Sequence, residues 1–341
     1  MRMKRTRSVI VAGAAALAFV LAACSSNSSS STAASGGGDL SGSINISGSS
    51  TVLPISQLVT EQFSAANPNV QTSVDGPGTG DGFVLFCEGK TDISDASRPI
   101  ADDEKKACSK GGINYVELKI ALDGITVMTN PTNSAVTCLN DGDLYALFGP
   151  QSEGIDTWSA ADSLAKKVGG TGNFPDLPLA ITAPGEESGT YDAFIELAGI
   201  ADTAIAQGVP EAKSATLRPD YQSSPNDNVI IQAMENNDSP LGFVGFAYAD
   251  QQGSSVTKIQ IDGGDGCVEP SASTIADGSY PLSRSLFIYV NTDKAAASPA
   301  LKAFVDYYLS DEGIQAVTAS DYVAIPQDQL AATRQAWASA G

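Results

Sequence analysis

The sequence contains no histidine, and its positive charges are scarce. Nineteen lysines and arginines face 39 aspartates and glutamates among 341 residues, which gives a formal net charge of −20. Without histidine, Ser-His-Asp catalysis, the usual zinc centres and histidine acid–base chemistry are excluded. The acidic balance argues against a nucleic-acid partner. A binding protein that needs no metal or other cofactor is therefore favoured over an enzyme.

The only long uncharged apolar stretch of the sequence, residues 9–23, follows four basic residues and is short for a membrane span. It ends in Leu-Ala-Ala directly before Cys24, an order similar to a bacterial lipobox. This pattern predicts a lipoprotein signal peptide over residues 1–23, a lipid on Cys24 and a flexible tether over residues 24–39. The expected location is the extracytoplasmic face of a bacterial cell membrane. An ordinary signal peptide with an incidental cysteine is the alternative.

Cysteines are few, and none stands in a CxxC pair. Once Cys24 is assigned to lipid, four remain, and an even number in an oxidising location favours disulfides over metal ligation. Four cysteines allow three pairings. We favour Cys87–Cys108 with Cys138–Cys267, because a short helical loop would join the first two partners.

Short β-like runs alternate with helical stretches along the rest of the chain, which predicts an α/β fold with mainly parallel sheets. Apolar residues at helical spacing predict a helix over residues 54–65. Strands are expected over residues 43–47, 70–74, 115–118, 124–129, 179–182, 256–261 and 286–290. Further helices are expected over residues 80–88, 100–109, 189–199, 225–236 and 299–309.

Four predicted helix starts carry hydroxyl residues, three of them together with glycines: GSST at 48–51, GPGTG at 76–80, SRP at 97–99 and ESGT at 187–190. A helix N-terminus presents unpaired N–H groups and a partial positive charge, so it binds anions even in an acidic protein. Each of these patterns alone indicates ordinary N-capping. Four together, with Arg98 beside Ser97, predict a site for a small tetrahedral oxyanion.

The order of several motifs resembles the phosphate-binding lipoproteins of the PstS type, in the branch with a Ser-Arg-Pro motif. The motifs are the lipobox, GSSTVLP at 48–54, FCEG at 86–89, DISDASRP at 92–99, ESGT at 187–190, LGFVGF at 241–246 and FVDYYLSDEG at 304–313. The resemblance implies a type II periplasmic-binding-protein fold, with two α/β domains, crossing hinge strands and a ligand cleft. Domain I would comprise residues 40–120 and 284–341, and domain II residues 121–283.

The resemblance also implies a function, namely capture of inorganic phosphate and its delivery to the permease of an ABC importer. The receptor would be a lipid-anchored monomer without enzymatic activity. The implied phosphate contacts are Ser50, Thr51, Val52, Thr79, Ser97, Arg98, Ser188, Gly189 and Thr190. Sulfate, molybdate or an organic phosphate are alternative ligands. A surface phosphatase, a sensor and an adhesin are alternative functions.

Two departures from the PstS pattern affect the expected site. Pro184 stands where the family has an arginine, and Arg98 is expected to supply the missing guanidinium. Ser97 stands where the family has an aspartate that accepts the proton of phosphate and so rejects fully ionised sulfate. The carboxylates close enough in sequence to replace it are Asp81, Asp95 and Glu187, of which we prefer Glu187.

Overall fold

The computed structural model describes residues 40–186, 188–237 and 239–340. The predicted signal peptide and tether, Cys24 and Glu187 lie outside these residues. The strands are β1 (Gly42–Gly48), β2 (Val70–Asp75), β3 (Ile93–Ala96), β4 (Tyr115–Thr129), β5 (Cys138–Asn140), β6 (Ala180–Ala183), β7 (Gln222–Ser223), β8 (Pro240–Gly245), β9 (Thr257–Lys258), β10 (Gln260–Asp262), β11 (Cys267–Val268), β12 (Ser283–Asn291) and β13 (Val323–Ala324).

The α-helices of the same residues lie between these strands and after them. They are α1 (Leu53–Ala66), α2 (Thr79–Cys87), α3 (Asp102–Gly111), α4 (Asp141–Phe148), α5 (Asp162–Lys167), α6 (Gly189–Leu197), α7 (Ile200–Ala206), α8 (Glu211–Ser214), α9 (Asp227–Asn236), α10 (Phe246–Gln251), α11 (Ala272–Ala276), α12 (Thr292–Ala297), α13 (Pro299–Tyr308), α14 (Asp311–Ala319) and α15 (Gln327–Ala340). Two 3-10 helices, Pro150–Ser152 and Ser159–Ala161, complete the set. The alternation confirms the α/β class.

The strands form one curled mixed sheet and a small second sheet. The main sheet has the order β2-β1-β3-β12-β4-β8-β6-β7, with β13 and β9 also paired to β4, and the small sheet has the order β11-β10-β5. Five strand pairs are parallel and six are antiparallel. The expectation of mainly parallel sheets is therefore wrong, because each described strand that pairs with β4 or β12 runs antiparallel to it.

Strand β4 is a single strand of 15 residues, where the sequence predicted two short ones. Its first part pairs with β12, from Tyr115↔Asn291 to Gly124↔Ser283. Its last part pairs instead with β8 and β9. Polar residues such as Lys119 and Asp123 interrupt its apolar pattern, which is why the sequence suggested a break.

The buried apolar side chains fall into clusters on either side of this crossing. One group of clusters, which we call the first lobe, comes from residues 44–121 and 286–337. The other group, which we call the second lobe, comes from residues 122–282, with Ile325 and Leu330 added from the late chain. Strand β4 thus enters both cores, and the chain returns to the first lobe through β12.

Helix α1 illustrates how the sequence positions the loop in front of it. Pro54 lies in the first turn, where its missing N–H breaks no helical hydrogen bond. Ile55, Val59 and Phe63 are buried against the core of the first lobe. This helix is confirmed within a few residues of its predicted bounds, and its start fixes the end of the β1–α1 loop.

Two disulfides join the cysteines in the favoured pairing. Cys87 is bonded to Cys108 between α2 and α3, and Cys138 is bonded to Cys267 between β5 and β11. Each therefore lies within one lobe. None of the described helices is both long and apolar enough to cross a membrane.

Candidate anion-binding cleft

A cleft of about 210 Å³ lies where the strand-to-helix loops of the first lobe meet helix α6 of the second lobe. Three first-lobe loops and the crossing strand β12 contribute most of its wall, and α6 contributes two carboxylates. The lining residues are Ser49, Ser50, Thr51, Gly78, Thr79, Gly80, Ser97, Arg98, Asp192, Glu196 and Arg284. Hydroxyl groups, two guanidinium groups and two carboxylates therefore face the same small volume.

The β1–α1 loop supplies the first group of hydroxyls. The Ser49 amide donates to the Asp95 carbonyl oxygen at 2.9 Å, which fixes the loop to the end of β3. The Ser49 hydroxyl oxygen accepts from the amides of Thr51 at 3.2 Å and Val52 at 3.4 Å. The loop is thus held from within, and the Ser50 and Thr51 side chains line the cleft.

The loops after β2 and β3 meet at Thr79 and Ser97. The two hydroxyl oxygens lie 3.1 Å apart, and the Ser97 amide donates to Thr79 Oγ1 at 3.2 Å. Close backbone packing allows this arrangement, because a Cβ on Gly82 would lie 2.5 Å from the Gly48 Cα atom. Only glycine fits there without displacing backbone.

Arg98 lines the cleft but is held by a partner outside it. Its Nη1 and Nη2 atoms each donate to a carboxylate oxygen of Glu104 at 2.8 Å, a bidentate pair. The Arg98 side chain is 37% exposed and its guanidinium lies over the Phe83 ring. Arg98 therefore contributes positive charge to the wall of the cleft, but its Nη1 and Nη2 atoms are directed at Glu104.

Helix α6 brings two carboxylates to the cleft. Ser188 caps the helix by accepting from the Thr190 amide at 3.2 Å. Four residues on, Asp192 accepts a hydrogen bond from the Ser50 hydroxyl at 3.1 Å. One further turn on, Glu196 pairs with Arg284. Burial raises the pKa of Asp192, while the Ser50 hydrogen bond and the positive charge of Arg284 oppose this shift.

Arg284 joins both lobes at the crossing strands. Its Nη2 atom donates to Thr51 Oγ1 at 2.9 Å, its Nη1 atom to Glu196 Oε2 at 2.5 Å and its Nε atom to Asp123 Oδ2 at 3.3 Å. The side chains of Arg284 and Asp123 are almost fully buried. Burial raises the pKa of Asp123, although the Arg284 charge opposes the rise. The cleft thus contains a buried guanidinium beside the first hydroxyl loop.

The structure places the predicted contacts in two groups. The first group lines the cleft and comprises Ser50, Thr51, Thr79, Ser97 and Arg98. The second lies beside it and comprises Val52, Ser188, Gly189 and Thr190. Val52 has a fully buried side chain. The start of α6 abuts the first loop, since a Cβ on Gly189 would lie 3.4 Å from the Ser50 carbonyl oxygen.

Two of the three carboxylates weighed from the sequence, Asp81 and Asp95, do not line this cleft, and the third, Glu187, lies outside the described residues. Asp81 is exposed on α2, and Asp95 is fully buried beneath the β1–α1 loop. The cleft carboxylates are Asp192 and Glu196, which the sequence reasoning missed together with Ser49 and Arg284. Their spacing of four and eight residues from Ser188 on a predicted helix was an available signal. Arg284 carried no such signal, because it reaches the cleft from a distant strand.

Two further features of the described residues concern metal ligands and a second cavity. No group of three or more histidine, cysteine, aspartate or glutamate side chains among them could hold a metal ion. A larger cavity of about 740 Å³ lies in the second lobe beside Tyr191 and Arg218. There Arg218 donates to both carboxylate oxygens of Asp220, at 2.6 and 2.8 Å, and to the Ile155 carbonyl oxygen.

Similarity to known proteins covers most of the chain. A PBP superfamily domain matches residues 29–312. Protein SphX from Synechocystis sp. is 40% identical over 290 residues, which cover 84% of this chain and 80% of that protein. Phosphate-binding protein PstS from Staphylococcus haemolyticus is 33% identical over 290 residues, which cover 85% of this chain and 83% of that protein.

A solved structure is also similar to this chain over most of its length. The crystal structure of a possible phosphate binding protein from Planctomyces limnophilus is 34% identical, with a TM-score of 0.79, and the match covers 88% of this chain and 99% of that one. Together with the curled mixed sheet, these matches confirm the expected type II periplasmic-binding-protein fold. The chain therefore belongs to the PBP superfamily and, within it, to the PstS-type phosphate-binding proteins.

Proposed function

We propose that this protein is an extracytoplasmic receptor that captures inorganic phosphate in the cleft and delivers it to an ABC importer. The single observation that carries the proposal is the convergence of Ser50, Thr51, Thr79, Ser97 and a buried Arg284 on one volume of about 210 Å³. Neutral hydroxyl donors together with a guanidinium match the oxygens of a tetrahedral anion. The relatives' names support phosphate as that anion.

The electrostatic balance of the cleft favours an anion despite the acidic chain. Charges beyond about 8 Å are largely screened at physiological salt, so the local donors decide affinity. A micromolar dissociation constant needs about 8 kcal/mol. Several charge-assisted hydrogen bonds in a partly buried site supply a free energy of this order after desolvation. The family consists of binding proteins for transport, and no activated nucleophile is needed for this role.

We assign the acceptor of the phosphate proton to Asp192 in place of Glu187. Asp192 already accepts a hydrogen bond from Ser50, so its carboxylate faces the donors that would hold the anion. A protonated phosphate oxygen can donate to this carboxylate, whereas sulfate at neutral pH has no proton to donate. Repulsion between Asp192 and sulfate would then set the selectivity.

The two lobes would close over the anion at the crossing strands. Strand β4 contributes to both buried cores, as does α15 through Leu330 and Trp337, and β12 returns the chain beside β4. We place the hinge at this crossing, with residues 40–120 and 284–341 on one side and residues 121–283 on the other. Closure would bury the ligand and create the surface that the permease recognises.

Calorimetry on the purified full-length protein, stripped of bound anion, tests the ligand. Phosphate is expected to bind near neutral pH with a micromolar or tighter dissociation constant, and excess sulfate is expected not to displace it. Equal binding of sulfate, or binding of sulfate alone, would overturn phosphate as the ligand. Absence of binding by both anions would contradict the receptor function.

We also propose that Cys24 anchors the protein to the membrane through lipid. The motif before Cys24 and the Ser- and Gly-rich residues after it support this assignment. The Cys24→Ala variant is expected to move from the membrane fraction to the soluble fraction of fractionated cells. Ser25→Ala is the matched control and is expected to stay with the membrane. A Cys24→Ala variant that also stays there would contradict the anchor.

A further inference from the structure

The guanidinium groups of the two arginines in the cleft differ in their hydrogen-bond partners and in their exposure to solvent. Arg98 makes a bidentate pair with Glu104 on its own lobe, at 2.8 Å for both hydrogen bonds. Arg284 makes one hydrogen bond to each of three partners, Asp123, Thr51 and Glu196. Arg284 is also the more buried, with a side chain 8% exposed against 37% for Arg98. A buried guanidinium attracts an anion more strongly because water screens it less.

Glu196 is the most exposed of the three partners of Arg284. Its side chain is 54% exposed, and it reaches Arg284 from a helix of the opposite lobe. Asp123, by contrast, is buried and lies directly beside Arg284 in the β4–β12 ladder. A carboxylate at the rim can exchange its guanidinium partner for water at little cost. The Nη1 atom of Arg284 can therefore be released without disrupting the crossing strands.

We propose that Arg284 is the guanidinium that binds phosphate, and that Glu196 is an internal anion that phosphate displaces from Nη1. This inference rests on the proposed function, because it names the residues that control anion access to that site. Phosphate would accept from Nη1 in place of Glu196, next to the Thr51 hydroxyl that Nη2 already contacts. Glu196 would turn into solvent.

Because an anion must displace Glu196 from Arg284, it must interact more strongly with the cleft in order to bind. A monovalent anion that makes few hydrogen bonds gains too little at Arg284 to replace a carboxylate already in contact with it. A multivalent oxyanion gains contacts with several hydroxyls as well and displaces it. Glu196 thus lowers affinity for every anion and excludes the weakest ones. Arg284 takes the role that Arg98 was expected to fill.

Calorimetric titration of phosphate into Glu196→Gln tests the internal competitor. Removing this negative charge is expected to strengthen phosphate binding about tenfold at low salt, and the gain is expected to shrink as sodium chloride is added. Glu61→Gln, an equal charge change at an exposed position of α1, is the control and is expected to bind as the wild type does. Unchanged or weaker binding by Glu196→Gln would overturn the competitor role.

A second variant tests Arg284 itself. Arg284→Lys keeps a positive charge beside Asp123 but loses the planar fork, so phosphate binding is expected to weaken at least 100-fold while thermal unfolding still reports a folded protein. Wild-type affinity in this variant would overturn Arg284 as the phosphate-binding guanidinium. If the wild type itself binds no phosphate, the proposed function fails. Tight wild-type binding with no effect of either substitution defeats this inference alone.

Discussion

Replacing Asp192 with asparagine is expected to lower the ratio of phosphate to sulfate affinity by about 100-fold, near 3 kcal/mol. In the wild type, a protonated phosphate oxygen would donate to the Asp192 carboxylate, whereas sulfate would meet it with an unprotonated oxygen. A buried polar group left without a hydrogen-bond partner in this way costs about 1–3 kcal/mol of binding free energy, and more when the group is charged. Asparagine removes the repulsion and can donate through its amide, so most of the change is expected as a gain in sulfate binding.

Parallel calorimetric titrations with the two anions measure this ratio. Asp202→Asn is the matched control, because it removes the same charge from an exposed position on the following helix. The control is expected to keep the wild-type ratio. A selectivity in Asp192→Asn equal to that of the wild type would show that another carboxylate accepts the proton.

Replacing Asp95 with asparagine is expected to stabilise the fold by up to about 4 kcal/mol above pH 7. Asp95 is fully buried beneath the β1–α1 loop, and burial raises its pKa to about 7, with Ser56 opposing the shift and Asp75 adding to it. The unfolded chain releases this proton near pH 4. Between about pH 4 and 7 the folded state therefore binds more protons, and the free energy of unfolding falls as the pH rises.

Asparagine has no proton to lose, so the variant is expected to lack this part of the pH dependence. Denaturant unfolding of both proteins between pH 5 and 8 measures the difference, with Asp265→Asn, an exposed loop position, as the control. Equal pH slopes for the wild type and Asp95→Asn would contradict a buried, protonated Asp95. If the variant does not fold, a wild-type stability that fails to decline over the same range contradicts it equally.

The local parts of the fold could be predicted because they depend on short-range patterns. Helix α1, strand β1 and the start of α6 follow from apolar spacing, proline and capping residues in one stretch of chain. The favoured disulfide pairing, one of three that four cysteines allow, rests on the short helical loop between Cys87 and Cys108. The continuity of β4 could not be predicted, because Lys119 and Asp123 are stabilised there by partners from elsewhere in the sequence.

The residues of the candidate site also divide into those that have a local signal in the sequence and those that do not. The hydroxyl loops at Ser50, Thr79 and Ser97 carry their signal in neighbouring residues, so the sequence singled them out. The partners of the two arginines were not predicted: Glu104, which engages Arg98, is only six residues away, whereas β12 brings Arg284 to Thr51 from 233 residues away. Sequence order therefore favoured Arg98, whereas the buried guanidinium in the cleft is Arg284.

A crystal structure of the phosphate complex tests the central claim most directly. We expect one phosphate in the cleft between the lobes, with its oxygens within hydrogen-bond distance of Thr51, Ser97 and Arg284. A phosphate found instead in the 740 Å³ cavity beside Arg218, with the cleft empty, would contradict the account.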